Sequence, residues 1–445
     1  MTVLEHYHAH RTSKLDMLCL MPWHPPARPD WVRTINAGEV APITAVASLP
    51  LEREALLGAA RARMGLSGHD LRDFCEGELD ADRFLEPLDR LLDALEREAA
   101  LTLTGRWLTR RFLLRILEVR LQLIRYLRED PAVRDEPIEA PLFVAGAPRT
   151  GTTILYGLLQ RDPAHRVPEG WELLRPVPPP DADPERAAQD PRIPLADREL
   201  QLPQTVVSGL LDIHPYSGRM PKECLSAMSF TFRSEEFTAR YHVPSFEKWL
   251  FTCDMTPAYE MHRLVLQILQ RHRQPAAWVL KSPVHLHSLP TLLSVYPDAR
   301  IAVTHRDPLT VLASLTSLIA VLRWAHSDQV DYPALGASHA ERYGESFAQL
   351  VALTDSGTLP EAQLHHSRYT DFVSAPLETI ETLYRRFDLT LTPEARRAMK
   401  GVLAKRGAGE GSTHAYRFED LGLDRAALRA QLAPYQARFA VPNDD

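Results

Sequence analysis

Residues 142–153 read LFVAGAPRTGTT, and the chain continues with the helical pattern ILYGLLQRD over residues 154–162. The apolar run 142–145 stops at Gly146, as expected of a buried parallel strand that leads into a tight loop. Glycines let a backbone approach an anion closely, and the N-terminus of the following helix favours negative charge. This order of strand, glycine-rich loop and helix predicts a phosphate-binding loop at residues 146–153.

The loop differs from the usual triphosphate-binding pattern at one position. It is similar to GxxxxGK[ST], but Thr152 stands where a triphosphatase carries its lysine, and the cation of the loop is Arg149. No aspartate ends an apolar strand in the manner needed to hold Mg²⁺. Three alternatives stay open at this point: a nucleotide kinase or NTPase, a non-catalytic nucleotide-fold binding protein, and a tight turn without a ligand.

The segment PRTGTT, residues 148–153, resembles a known loop. It is similar to the 5'-phosphosulfate loop, commonly PKSGTT or PRSGTT, of sulfotransferases that use 3'-phosphoadenosine 5'-phosphosulfate (PAPS). The arginine form is similar to the tyrosylprotein and bacterial branches of that family. The resemblance implies PAPS as co-substrate and Arg149 as a catalytic group near the bridging oxygen. It also implies that the phosphosulfate is cradled by Arg149, Thr150, Gly151, Thr152 and Thr153.

Three further segments resemble the same family. In HRDPLTVLASL, Arg306 and Ser314 match the pair that holds the 3'-phosphate of the donor. In WVLKSP, Lys281 falls where the family places a catalytic lysine, whose charge would stabilise the leaving phosphate oxygen. SRYTDFV is similar to the family's YEDLV segment and implies that Tyr369 lies near the nucleotide, although Thr370 replaces the usual glutamate.

Attack by a hydroxyl on sulfur requires a general base close to the acceptor oxygen. Glu169, in HRVPEGWELLRP, occupies the segment where the resemblance places a catalytic glutamate, and the neighbouring Trp171 predicts an apolar setting that raises its pKa. His285 is the second candidate, because it lies four residues beyond Lys281 and its ring is expected to face the cleft. Further candidates are Glu172, His214 and Glu223. Each of these side chains could instead serve as a helix cap or a core hydrogen-bonding group.

The fold predicted from these patterns is α/β, with a P-loop-like parallel sheet flanked by helices. Strands are expected at 142–145, 277–280 and 300–304, and helices at 256–271 and 308–323.

Helical periodicity also marks the first third of the chain. The patterns at 51–64, 82–99 and 104–128 predict a helical N-terminal region over residues 1–138, so the α/β domain is expected over 139–445. Residues 175–204 are rich in Pro and Asp and are expected to form a surface loop or lid without a regular element.

Composition limits the partners. A formal net charge of -7 gives no basic excess, so nucleic acid is not expected to bind. The four cysteines show neither CxxC pairs nor zinc spacing, which predicts no metal site and favours a reducing cytoplasm. No apolar run reaches the roughly 18 residues of a membrane span, and none is expected. Aromatic residues between 214 and 260 favour a small-molecule, lipid or natural-product acceptor with a hydroxyl group.

Overall fold

The computed structural model describes residues 23–68, 70–76, 79, 81–179, 189–210, 216–271, 277–406 and 416–444. Its centre is a parallel sheet in the order β2-β3-β1-β4-β5. The strands are β1 (Leu142–Ala145), β2 (His165–Arg166), β3 (Ala277–Lys281), β4 (Arg300–His305) and β5 (Leu364–Arg368). The predicted α/β class is therefore confirmed, and β1, the strand that precedes the loop, is the middle strand.

Helices surround the sheet, and those predicted from periodicity are present. The α-helices are α1 (Asp30–Asn36), α2 (Ala41–Ala47), α3 (Arg53–Arg63), α4 (Ala81–Arg97), α5 (Leu103–Glu129), α6 (Thr152–Leu159), α7 (Gly170–Leu174), α8 (Arg192–Gln204), α9 (Leu225–Met228), α10 (Glu235–Arg240), α11 (Pro244–Leu250), α12 (Thr256–Gln270), α13 (Leu289–Val295), α14 (Pro308–Trp324), α15 (Tyr332–Asp355), α16 (Tyr369–Ser374), α17 (Pro376–Arg386), α18 (Pro393–Arg406) and α19 (Arg425–Phe439). Short 3₁₀ helices lie at Leu71–Phe74, Pro131–Asp135, Ser229–Thr231, Pro283–His287, Glu361–Gln363 and Phe418–Leu421.

Alternating side chains of β1 enter two apolar cores on opposite faces of the sheet. Phe143 and Ala145 join the larger core, which also takes in apolar residues of α3, α4 and α5. Leu142 and Val144 join the smaller core, with residues of α6 and α17. The N-terminal helices therefore share one continuous core with the α/β part of the chain.

The arrangement of the strands brings the functional loops together. β1 pairs with β3 on one side and with β4 on the other, and all three strands run in the same direction. In open parallel sheets, ligands bind beyond the carboxyl ends of the strands where the chain order reverses. The loops after Ala145, Lys281 and His305 meet at this edge.

One predicted feature is wrong in part. The segment 175–204 was expected to lack regular structure, yet α8 occupies Arg192–Gln204. Pro194 lies in the first turn of α8, where the backbone N–H has no intrahelical partner, and Pro203 lies in the last turn. The two prolines therefore do not interrupt the middle of the helix. Residues 180–188 of this segment lie outside the described part of the chain.

Candidate active site

The loop after β1 has a backbone that few residue types can adopt. Gly146 has φ +133° and Gly151 has φ +92°, and Arg149 between them also has a positive φ of 70°. A Cβ on Gly146 would lie 2.6 Å from the backbone oxygen of Thr304 on β4, so only glycine fits there. The loop runs directly into α6, whose first N–H groups have no intrahelical acceptors. This geometry makes a concave, positively polarised site for an anion.

Arg149 and Ser314 meet, as do Arg306 and Tyr369. The Nε of Arg149 donates to the Oγ of Ser314 at 3.0 Å, across 165 residues of sequence. Arg306 donates from NH1 to the Arg149 carbonyl oxygen at 3.0 Å, and its guanidinium lies 4.0 Å from the centre of the Tyr369 ring. The same Tyr369 ring lies against Gly151. The loop after β1 and the start of α14 thus form one basic cluster.

A carboxylate occupies the cluster in this structure. The Nε of Arg306 donates to Oδ2 of Asp444 at 2.5 Å, and the Asp444 N–H donates to Asp307 at 2.9 Å. Arg429 of α19 forms an ion pair with Asp307 as well. The pair of Arg306 and Asp444 is less than one-fifth exposed on each side.

Lys281 lies at the carboxyl end of β3, beside the loop. Its ammonium donates to the Oγ1 of Thr153 at 3.2 Å and forms an ion pair with Glu223. Lys281 is buried, and Glu223 is brought beside it because Cys224 N–H donates to the Lys281 carbonyl at 3.0 Å. A cation and a carboxylate therefore stand together next to the loop that follows β1.

The three threonines of the loop differ in their burial. The Thr150 side chain is buried and is hydrogen-bonded to the Ala147 carbonyl at 2.7 Å and to the Thr304 hydroxyl at 2.5 Å. Its hydroxyl stabilises the loop from within, so the predicted contact of Thr150 with the phosphosulfate would come from its backbone N–H. Thr152 is also buried at the start of α6, whereas Thr153 is exposed toward the site.

Glu169 serves as a helix cap. It is the N-cap of α7, where its side chain accepts from the Glu172 backbone while Glu172 Oε2 accepts from the Glu169 N–H at 3.0 Å. Glu169 Oε2 also accepts from the Trp171 indole at 2.7 Å. Burial raises the pKa of Glu169, against the lowering effect of the Trp171 hydrogen bond. Glu172 is engaged further by Arg166 at 2.9 Å. Both carboxylates thus hold α7 in place.

His285 does not face the cleft, and this expectation is wrong. Its side chain is fully buried, because residues 283–287 form a 3₁₀ turn that directs it into the larger apolar core. Its Nδ1 pairs with the Tyr259 hydroxyl at 3.0 Å, and its ring lies edge-on to Phe143 at 5.0 Å. Burial lowers the pKa of His285 well below its ordinary value. His214 lies outside the described residues.

A cavity of about 280 Å³ opens beside this site. Pro148 of the loop, Glu223 and Pro283 line one end of it. Helices α5, α8 and α14 contribute apolar side chains to its lining, beside several charged ones, and these include Leu108, Phe112, Leu202, Leu318 and Leu322. The cavity leads from the basic cluster to the N-terminal helices and is of a form suited to an acceptor with an apolar body.

The sequence also matches a model of a known protein family. The model described as "Sulfotransferase family" matches residues 141–393, which is more than half of the chain. The chain belongs to the sulfotransferase family. The matched residues include every strand of the sheet, the loop after β1 and the cluster of Lys281, Arg306, Ser314 and Tyr369.

Solved sulfotransferase structures are similar over nearly their whole length. Sulfotransferase STF1 from Mycobacterium tuberculosis H37Rv is 31% identical with a TM-score of 0.73, over 86% of this chain and 99% of that chain. Sulfotransferase STF9 from Mycobacterium avium is 27% identical with a TM-score of 0.75, over 89% of this chain and 98% of that chain. The similarity therefore extends into the N-terminal helices that precede the family match.

Curated relatives are similar over a shorter stretch. The omega-hydroxy-beta-dihydromenaquinone-9 sulfotransferase Stf3 of Mycobacterium bovis and of Mycobacterium tuberculosis is 25% identical over 267 residues. That stretch is 56% of this chain and 63% of the relative, so the chain spans less than two thirds of these proteins. In the described residues of this sulfotransferase, no helix is long and apolar enough to cross a membrane.

Proposed function

We propose that this member of the sulfotransferase family transfers the sulfuryl group of PAPS to a hydroxyl of a lipid or other small molecule. The observation that carries the proposal is the junction of two anion sites at one sheet edge. Arg149 of the first site contacts Ser314 of the second, and Arg306 of the second contacts the Arg149 backbone. A donor with phosphates at both its 5' and 3' positions has two anionic ends, and it would engage both sites at once.

The residues fit the two ends of PAPS by their chemistry. The backbone of residues 146–153, the first turn of α6 and Arg149 would hold the 5'-phosphosulfate. Arg306 and Ser314 would hold the 3'-phosphate, since a guanidinium fork matches phosphate oxygens. The Tyr369 ring packs against the Arg306 guanidinium in a cation–π contact and holds it in place.

The chemical step needs a base and a cation at the same place. The acceptor oxygen would attack sulfur while the bond from sulfur to the bridging phosphate oxygen breaks, leaving the electron pair on that oxygen. Lys281, fixed beside Thr153, would stabilise this negative charge. The proton of the acceptor hydroxyl would pass to Glu223, which lines the cavity next to Lys281. Glu169 remains a candidate, but its carboxylate already takes part in the capping box of α7 and accepts from the Trp171 indole.

The acceptor is proposed to occupy the cavity that opens beside Glu223. Its apolar walls favour a hydrophobic body. The relative Stf3 carries an omega-hydroxylated menaquinone derivative in its name, which is consistent with a lipid hydroxyl here. We also propose a cytoplasmic location, which the thiols of Cys224 and Cys253 favour, since neither forms a disulfide among the described residues.

Donor specificity is tested by calorimetric titration with adenosine 3',5'-bisphosphate, AMP and ATP, each with and without Mg²⁺. We expect tight, metal-independent binding of the bisphosphate, with AMP at least about tenfold weaker because one charge-assisted phosphate contact is missing. A preference for ATP with Mg²⁺ would instead support a kinase or NTPase. Bisphosphate binding without transfer to any hydroxylated acceptor would support the non-catalytic alternative.

The base is tested by comparing Glu223→Gln with Glu169→Gln. Transfer of labelled sulfuryl from PAPS to hydroxylated lipids is measured at saturating donor. We expect Glu223→Gln to lower turnover by about 10²-fold or more while leaving bisphosphate affinity near normal, because general base catalysis contributes on that scale. Glu169→Gln is expected to reduce thermal stability more than turnover. The reverse pattern would return the role to Glu169.

A further inference from the structure

We propose that the acceptor carries an anionic group, a carboxylate or a phosphate monoester, and that Lys222 and Arg115 bind this group inside the cavity. The inference rests on the proposed function in one respect, since it takes the cavity beside Glu223 as the acceptor site. It adds a substrate class: an amphipathic hydroxy acid or lipid phosphate with its charged group close to the reacting hydroxyl.

The charges that line the cavity are unevenly matched. Each lining carboxylate already has a cationic partner within the protein. These pairs are Glu118 with Arg63, Glu199 with Arg175, Glu223 with Lys281, Glu235 with Arg342, and Glu236 with Arg240. Three buried lining cations lie outside these five pairs, and one of them, Arg323, pairs with Glu247. Lys222 and Arg115 are the two that are left over.

Lys222 is buried without an ion pair among the described residues. Its side chain is 5% exposed, and its ammonium lies 4.2 Å from the centre of the Tyr216 ring. The backbone around it is fixed, since Lys222 N–H donates to the Pro168 carbonyl at 3.0 Å and its own carbonyl accepts from Tyr156 at 3.2 Å. The ammonium is therefore held at the cavity wall against the Tyr216 ring, and no carboxylate of the described residues forms an ion pair with it.

Arg115 of α5 is in a similar position. It is 7% exposed, and its NH1 donates to the Leu174 carbonyl at a long 3.3 Å. Its guanidinium lies 5.2 Å from the centre of the Phe112 ring, and no carboxylate of the described chain forms an ion pair with it. A guanidinium has five N–H donors, so most of its hydrogen-bonding capacity is unused by the contacts described.

One carboxylate lies within electrostatic reach of both cations. Although burial raises the pKa of Glu236, the charges of Arg240, Lys222 and Arg115 lower it to about 2. All three cations thus act on the Glu236 carboxylate, whose hydrogen bond at 2.8 Å comes from Arg240, while Glu223 and Glu199 contribute further negative charge near Lys222 and Arg115. Burial lowers the pKa of Lys222 in turn. Buried unpaired charges are costly, and a bound anion would remove that cost.

The position of Lys222 and Arg115 relative to Glu223 indicates where the anionic group lies on the acceptor. Lys222 is adjacent in sequence to Glu223, and both side chains line the cavity. The anionic group and the reacting hydroxyl would therefore lie at the same end of the acceptor. The apolar body would extend away from them, along Leu108, Leu318 and Leu322.

The test measures binding of simple amphiphiles to the full chain saturated with adenosine 3',5'-bisphosphate, so that the donor site is filled. The probes are octanoate, octyl phosphate and 1-octanol, titrated by calorimetry. We expect at least one of the two anions to bind about tenfold or more tightly than octanol, because a charge-assisted hydrogen bond is gained. Lys222→Met and Arg115→Met are each expected to remove most of that preference, whereas Lys222→Arg should retain it.

The matched control is Lys248→Met, which removes the same charge from an exposed position on α11. It should leave the preference unchanged. The proposal is overturned if octanol binds as tightly as both anions, or if the preference persists in Lys222→Met and Arg115→Met. Bisphosphate affinity, measured separately in each variant, reports both the integrity of the fold and the donor proposal. Failure of that binding in the wild-type chain would overturn the donor assignment, whereas a Lys222-dependent anion preference, measured without bisphosphate, would still support the subsite.

Discussion

Asp444 forms an ion pair with Arg306, the arginine that is proposed to hold the donor's 3'-phosphate. Its Oδ2 accepts from Arg306 Nε at 2.5 Å, and the two side chains are 19% and 17% exposed. A phosphate that reaches Arg306 must displace this carboxylate. The variant Asp444→Asn removes the negative charge of this side chain but keeps its size and one oxygen that can accept a hydrogen bond. We therefore expect Asp444→Asn to bind adenosine 3',5'-bisphosphate more tightly than the wild-type chain.

The expected gain follows from the exposure of the pair. Fully exposed ion pairs contribute at most about 1 kcal/mol, and charge-assisted hydrogen bonds about 1.5–3 kcal/mol. A pair with one-fifth exposure lies near the boundary of the two ranges. A competing contribution of about 1 kcal/mol corresponds to an affinity gain of about fivefold.

The assay is calorimetric titration of both proteins with the bisphosphate and with AMP, which lacks the 3'-phosphate. AMP affinity should be unchanged by Asp444→Asn. Asp371→Asn removes a more exposed carboxylate that pairs with Arg368 at 2.7 Å and not with Arg306, and it serves as the control for loss of a nearby negative charge.

A double-mutant cycle makes the test stricter. In an Arg306→Ala background, Asp444→Asn should have no effect on bisphosphate affinity, because the competing contact no longer exists. The reasoning is refuted if Asp444→Asn weakens bisphosphate binding, if AMP gains equally, or if the gain survives the loss of Arg306.

Three further predictions concern stability, each measured as the free energy or midpoint of unfolding. Gly146→Ala should destabilise by about 3 kcal/mol, because φ is +133° and the new methyl meets Thr304. Gly157→Ala, with open space around it in α6, should cost nothing, and equal losses would contradict the argument. Lys222→Met should stabilise the ligand-free chain by about 1 kcal/mol by removing a buried charge, and a loss of stability would count against it. Burial lowers the pKa of His262, His326 and His339 to about 3 in the folded chain. In the unfolded chain each histidine has its ordinary pKa of about 6.5, so just below that pH only the unfolded chain binds these protons. The free energy of unfolding should therefore reach its full value above pH 6.5 and fall by about 1.4 kcal/mol per histidine for each pH unit below it. A free energy of unfolding that does not change between pH 6.5 and 5 would contradict this.

Several features could be predicted locally. The run 142–153 specifies a buried strand, a glycine-dependent loop and the start of a helix, and each is present within a few residues of its expected place. β2 and β5 were missed, since β2 has only two residues and β5 has the polar sequence LHHSR. An edge strand of that composition lacks the apolar run that marks a buried strand.

The candidate bases show the limit of local inference. Glu169 and Glu172 stand three residues apart at a helix start, and this spacing could have indicated the capping box that the structure contains. His285 follows a strand end as expected, but its direction depends on a 3₁₀ turn and on Tyr259, which lies 26 residues away. Glu223 is adjacent to Lys281 because of one backbone hydrogen bond between distant segments.

By itself, the sequence determined the parallel α/β core and the glycine-dependent loop that leads into a helix, because backbone conformation and hydrophobic periodicity are properties of neighbouring residues. The roles of Arg149, Lys281 and Arg306 stay predictions that the family resemblance implies. Only the tertiary structure decided which carboxylate stands beside Lys281, that Asp444 lies on Arg306, and that α5 walls the cavity. Those relations depend on how helices pack across one shared core. Packing joins residues that are far apart in the sequence, by 58 positions for Lys281 and Glu223 and by 138 for Arg306 and Asp444, and no local pattern records that pairing.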